Sequence, residues 1–380
     1  MFYVIVLAAA VLLLGEWVAR RWRLTQGNPF MQAPIYRSSP LLPWELQPNS
    51  HWTWTTGFPQ TLGPAFHRDI EINSHGYRER EFAWDKPADT YRVLFLGDSF
   101  VMGWGVQMHE TVGRQLEILL QERYPGKRVE VINAAFACAY SPDTYYVYLK
   151  HQGLSLKPDL VLSTFLPRGD LKEMRLNKRV NGEDGLPVQV CSLIDTVDDA
   201  THLRQRLFPS RVPFQLKRLS ALLDWSVQQI RPYVVGRGDQ DALRFLQDPR
   251  HGGYRDVWPV AGRCLAGAHR LLQNRPVPIP YLVIVIPEPY EIHPEFWEKA
   301  GLVFDPTLYA EAWPQRLAVE MASQDGYPCL DLLPGFRDGG KNQTLYFPSH
   351  AHWNQAGHRR AAELIADALH AMIPSESRDT

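Results

Sequence analysis

The sequence predicts an α/β fold: a parallel sheet covered by helices on both faces, with a membrane anchor ahead of it and a largely helical insertion within it. Three observations point there. Short apolar runs bounded by glycine and proline alternate with stretches of helical periodicity. The first 19 residues are almost wholly apolar. More than a hundred residues separate the third strand run from the fourth, more than a simple crossover needs.

Residues 1–24 read as the anchor. Phe2 to Leu14 is unbroken and apolar, Glu16 interrupts, and Trp17, Val18 and Ala19 lead to Arg20, Arg21 and Arg23. Counted to Ala19 the stretch is 18 residues, near the lower limit for about 30 Å of hydrocarbon. No basic leader precedes it and Gly-Glu-Trp follows it, so an uncleaved anchor is expected rather than a signal peptide, with a buried amphipathic helix as the alternative. By the positive-inside rule the three arginines keep the body in the cytoplasm. Residues 25–88 form a loop-rich lead-in.

The sheet domain spans 89–372. Tyr91–Leu96, bounded by Gly97, is a strand buried on both faces. Val112, Leu116, Leu119 and Leu120 mark a helix that Pro125-Gly126 ends. Val129–Ile132, Asp159–Phe165, Ile279–Ile286 and Pro328–Leu332 are the further strands. Gly357–Leu369 is the last helix, with Asn354 as its cap, and 373–380 is a tail. The insertion, about 172–275, reads as mostly helical, with Leu216, Leu219, Leu223, Val227 and Ile230 on one face. Thr201–Ser220 holds five basic residues and no acidic one: a surface for anionic lipid or a membrane partner, or the solvated side of a packed helix.

Composition narrows the function. Of 380 residues, 45% are apolar and 21% charged, which excludes disorder. A net charge of −1 offers no field for a phosphate backbone, so no nucleic-acid partner is expected. Cys138, Cys191, Cys264 and Cys329 lack CxxC spacing, which gives no support to a structural zinc site or a disulfide framework and leaves one bridge open.

In parallel sheets chemistry sits beyond the carboxyl ends of the strands. The first strand ends in Gly97-Asp98-Ser99-Phe100, which puts the Ser99 hydroxyl at the start of a helical region. Taken alone these are ordinary turn and cap residues. The last helix, however, is preceded by Ser349-His350-Ala351-His352-Trp353-Asn354. A serine near one end and a histidine near the other is what acyl transfer needs, because the hydroxyl becomes nucleophilic when an imidazole takes its proton.

On these residues the chain resembles the SGNH/GDSL hydrolases, a flavodoxin-like three-layer α/β/α superfamily of esterases, lipases and glycan deacetylases. The resemblance runs from about Asn73 to Leu369 outside the insertion. Asn73-Ser-His-Gly-Tyr-Arg78 resembles the lead-in of a membrane-anchored bacterial branch, and Phe95–Val106 its nucleophile block. Thr344–Phe347 with His352-Trp-Asn354 and Gly357-His358 resembles its last block. The resemblance implies Ser99 as nucleophile, His352 as base, no metal or organic cofactor, and an extracytoplasmic body near polysaccharide modification, against the arginine rule. His358 reads as a helix-start residue.

The sequence departs from the family at several positions. The oxyanion glycine of the second block is Cys138 here, which keeps a backbone N–H. The oxyanion asparagine of the third block is Gly169, beside Arg168, a free guanidinium that would meet an oxyanion or an acidic sugar, or else a solvated loop residue. Ser349 and His350 stand where the family's aspartate precedes the histidine. His352 would then be oriented by Ser349, by a backbone carbonyl, or by Asp98, Asp170 or Glu288. The expected function is a serine esterase or O-acyltransferase acting on acyl, chiefly acetyl, esters of a glycan, lipid or small molecule. The rival is a catalytically degraded relative that binds polysaccharide or supports a membrane acyltransferase complex.

Overall fold

The computed structural model describes residues 33–53, 69–137, 139–192, 240–299, 302–348 and 351–371. The expected anchor, the Leu216–Ile230 face, the basic stretch Thr201–Ser220 and the tail lie outside them. Among the described residues no helix is long and apolar enough to cross a membrane.

The lead-in is more ordered than its composition suggests. β1 (Tyr36–Arg37) pairs antiparallel with β2 (Glu45–Leu46), and β3 (His51–Thr53) with β4 (Asp69–Glu71). Trp44, Leu46, Ile70 and Ile72 are buried, and Trp44 packs against Tyr140 of the sheet domain.

The sheet follows. β5 (Thr90–Gly97) ends in the short helix α1 (Ser99–Met102), then come α2 (Val112–Arg123), β6 (Arg128–Ala135), α3 (Pro142–His151), β7 (Leu160–Phe165) and α4 (Pro167–Leu176). Next are the hairpin strands β8 (Asn177–Asn181) and β9 (Pro187–Ser192), then α5 (Gln240–Gln247), α6 (Tyr254–Gln273) and β10 (Tyr281–Val285). The short helices α7 (Pro289–Ile292), α8 (Glu295–Lys299) and α9 (Pro306–Glu311) precede α10 (Trp313–Asp325), β11 (Cys329–Asp331), α11 (Leu333–Gly340) and α12 (Gln355–Ala368). The described part of the insertion, expected to be mostly helical, holds the β8–β9 hairpin beside the helices α5 and α6. Asp184-Gly185 turns the hairpin, with Gly185 at φ 74° and the Asp184 carboxylate accepting from Leu186 N.

The five central strands run parallel in the order β11-β10-β7-β5-β6. Counted along the chain this is 2-1-3-4-5, the flavodoxin-like order, and its switch point lies between β5 and β7. α2 packs on α12 over one face, while α3, α6 and α10 cover the other. Val93–Leu96 and Leu160–Leu162 are buried on both sides, and each such apolar side chain contributes roughly 1.5–3 kcal/mol.

Arg92 ties the lead-in to this sheet. Its fully buried guanidinium pairs with Glu130 (2.7 Å) and donates to Ala83 O (2.6 Å), Trp84 O (2.9 Å) and Leu156 O (2.8 Å). A buried cation is tolerated only when its donors are met in this way.

Candidate active site

Ser99 stands at the switch point, on the first residue of α1. The bend that exposes it needs glycine before it, since a Cβ on Gly97 would fall 2.2 Å from Val101 Cγ2. Asp98 caps α1, its carboxylate accepting from Phe100 N (2.8 Å). At the other end of the helix the buried Arg78 donates to Met102 O (2.9 Å), to Gly103 O and to Val106 O (2.7 Å), closing carbonyls the helix leaves open. Asn133 Nδ2 donates to Val101 O (2.8 Å) from β6. The helix that bears Ser99 is thus held from both sides.

His352 comes from the loop before α12. Tyr346 pairs antiparallel with Trp353, Phe347 N donates to His352 O (3.0 Å), and Asn354 caps α12 through Gly357 N (3.0 Å). The His352 ring stacks on Phe100 at 4.8 Å, and Trp353 meets the Phe100 ring edge-on at 5.1 Å. The result is a contact of 2.6 Å between Ser99 Oγ and His352 Nε2. With the imidazole neutral and its proton on Nδ1, the hydroxyl donates to Nε2. Both residues are half-buried, reachable from solvent yet partly desolvated.

The other residues singled out in the sequence take different places. Cys138, Ser349 and His350 lie outside the described residues. Gly169 is the third residue of α4, where no helical carbonyl takes its N–H, and a Cβ there would fall 2.5 Å from Leu166 Cδ2. A larger side chain is therefore excluded unless Leu166 moves. The expectation of a free Arg168 guanidinium is overturned. Its Nε donates to both oxygens of Glu288 (2.9 and 3.0 Å), and Nη1 lies 3.6 Å from Asp241. His358 Nδ1 accepts from Val112 N (3.2 Å), and burial pushes its pKa down to about 3, so it is a neutral packing residue.

Of the acids considered for orienting His352, Glu288 serves Arg168 and Asp98 serves the α1 cap. Asp170 accepts from Leu166 N (2.9 Å). Burial, then the charges of Asp98 and Glu173, push its carboxyl well up, and burial likewise pushes Asp98 up to about 7. Among the described residues no three His, Cys, Asp or Glu side chains are grouped to hold a metal ion. A cleft of about 660 Å³ opens where the His352 loop begins, lined by Tyr309, Arg337, Lys341, Asn342, Gln343 and Thr344 among others.

Sequence reasoning missed the supports. Arg78 was visible only as part of a motif, and neither Phe100 as a platform nor Asn133 as a brace has a local pattern to announce it.

No protein-family model matches the chain, and no curated protein matches it. Several solved structures are similar. One is a two-domain esterase active on acetylated mannans, at 12% identity, covering 77% of this chain and 53% of that one, with a TM-score of 0.39. The chain spans about half the length of that protein. An acetylxylan esterase from Geobacillus stearothermophilus matches at 14% identity over 76% of this chain and 97% of its own, with a TM-score of 0.37. A carbohydrate acetylesterase from Sinorhizobium meliloti matches at 13% identity over 74% and 99%, with a TM-score of 0.35.

Proposed function

We propose that the protein is a serine esterase of the SGNH/GDSL type that removes acyl groups, chiefly acetyl, from a glycan. The observation that carries this is the 2.6 Å contact between Ser99 Oγ and His352 Nε2 at the switch point of the sheet. In this reading His352 takes the hydroxyl proton as Oγ bonds to the ester carbonyl carbon. The tetrahedral adduct collapses, the bond to the alcohol oxygen breaks, and the imidazolium returns its proton to that oxygen. Water then attacks the acyl-serine by the same steps, with His352 again as base.

The N–H groups of Ser99, Cys138 and Gly169 are assigned to the developing oxyanion. With glycine at 169 the family's side-chain donor is absent, a loss worth roughly a hundred- to a thousand-fold in rate, so turnover will be modest. A sugar hydroxyl in place of water would make the same intermediate an acyl donor. The proposal includes an amino-terminal anchor and an extracytoplasmic body, where a membrane acyltransferase would be a natural companion.

The glycine at 169 also favours a second reading, a degraded relative that binds polysaccharide without reaction. One experiment decides. The full chain, purified in detergent, is treated with a fluorophosphonate probe and with an aryl acetate beside Ser99→Ala and His352→Ala. Labelling and turnover in the parent, lowered by roughly a thousand-fold or more in both variants, are expected. A parent that neither labels nor turns over would leave the binding protein.

A further inference from the structure

The loop that presents His352 folds back on itself, and the chain leaving β10 holds one of its arms. Within the loop, Asn354 N donates to Leu345 O (3.1 Å), Tyr346 pairs with Trp353, and Asn354 Nδ2 donates to Thr344 O (2.7 Å). From outside, the Tyr346 hydroxyl donates to Pro287 O (2.5 Å), and Leu345 N donates to His293 Nε2 (3.1 Å). In the second bond a side chain meets a backbone group 52 positions away. His293 closes α7, its own N donating to Pro289 O (2.9 Å). Its buried ring lies perpendicular to Tyr346 at 6.0 Å and beside Phe296 at 5.9 Å. A Cβ on Gly340 would fall 3.2 Å from its Cε1, so α11 closes a further side. Since Nε2 accepts, the ring is neutral and its proton is on Nδ1, 3.7 Å from Glu295 Oε1.

Leu345 is fully buried, and a buried N–H left without an acceptor bears the whole cost of its lost hydration. A rigid ring packed on three sides supplies that acceptor at one place, where a flexible side chain would supply it at several. We propose that His293 is a positioning residue: it fixes Leu345 and, through the Leu345–Asn354 and Tyr346–Trp353 pairs, sets where the His352 imidazole meets Ser99. The proposal rests on the esterase reading above. His293 acts on the backbone of the loop and takes no proton in the reaction. The contact it serves tolerates little error, since a misplacement of about 1 Å costs roughly a hundred-fold in rate.

The test uses the full chain and counts active molecules by fluorophosphonate titration carried to completion, so that misfolded protein does not enter kcat. His293→Phe keeps a ring without an acceptor. His293→Asn keeps a polar group that extends only as far as the Nδ1 position, while His293→Gln carries its amide oxygen out to the Nε2 position, where it can accept from Leu345 N. The Phe and Asn variants are expected to lower kcat for an aryl acetate by about ten-fold or more per titrated site, with KM within about two-fold of the parent. His293→Gln should restore kcat to within about three-fold. A purely structural role would lower melting temperature and the titratable fraction and leave kcat per site unchanged. That result in the Phe and Asn variants overturns the proposal, and so does a Gln variant no faster than the Asn one. A parent that neither labels nor turns over would instead sink the esterase reading itself.

Discussion

At the residue scale three side chains of the proposed site stand out, and each is governed by its surroundings more than by its type. Ser99 and His352 meet where the imidazole lies on the Phe100 ring, which Trp353 backs edge-on. Asp98, beside them, is a carboxyl whose pKa burial raises to about 7. Such a group stabilises the fold fully below its ordinary pKa near 4, and that contribution is lost as pH climbs through 7. Asp98→Asn keeps the acceptor for Phe100 N and removes the titration. The variant should match the parent's melting temperature at pH 4 and exceed it increasingly toward pH 8, as thermal melts across that range would show. At this scale Ser99 was legible only as a turn residue, since Gly97-Asp98-Ser99 ends an apolar run. Its pairing with His352 was not readable from spacing and came from the resemblance of the two blocks. The Arg168–Glu288 pair was not legible at all, because 120 positions separate the partners and no local pattern links them.

Elements were read best where one local signal fixed both ends. The run Tyr91–Leu96 with Gly97 became β5, and Asn354 before Gly357–Leu369 became the cap of α12. The hairpin β8–β9 was missed because Lys178, Arg179 and Val180 show little alternation, leaving Asp184-Gly185 as its one clear signal. α12 also carries the most exacting close approach near the site. A Cβ on Gly357 would fall 2.1 Å from Leu345 O and 2.9 Å from Trp353 Cβ. Neither neighbour can retreat without moving the loop that presents His352. Gly357→Ala is therefore expected to cost about 1–3 kcal/mol in urea unfolding. Displacing the imidazole by about 1 Å should also lower aryl acetate turnover roughly a hundred-fold. A variant with parental activity would mean that the loop adjusts independently of the helix.

Across the whole molecule, the sheet order follows from the alternation of strand and helix, while the cross-links that secure it do not. Arg92 joins β5 to β6, to the end of the lead-in and to the segment before β7 through one guanidinium. Arg92→Leu leaves Glu130 buried without its cation and three carbonyls without a donor. Equilibrium unfolding should register a loss of about 3–5 kcal/mol, far above that from an exposed pair such as Lys341–Asp338.

The 253 positions between Ser99 and His352 also order events in time. A chain emerging from the ribosome has its hydroxyl long before its imidazole, and the intervening strands must assemble before the two can meet. On the esterase reading the growing polypeptide is chemically silent until α12 docks, so it would not attack esters while it is being synthesised.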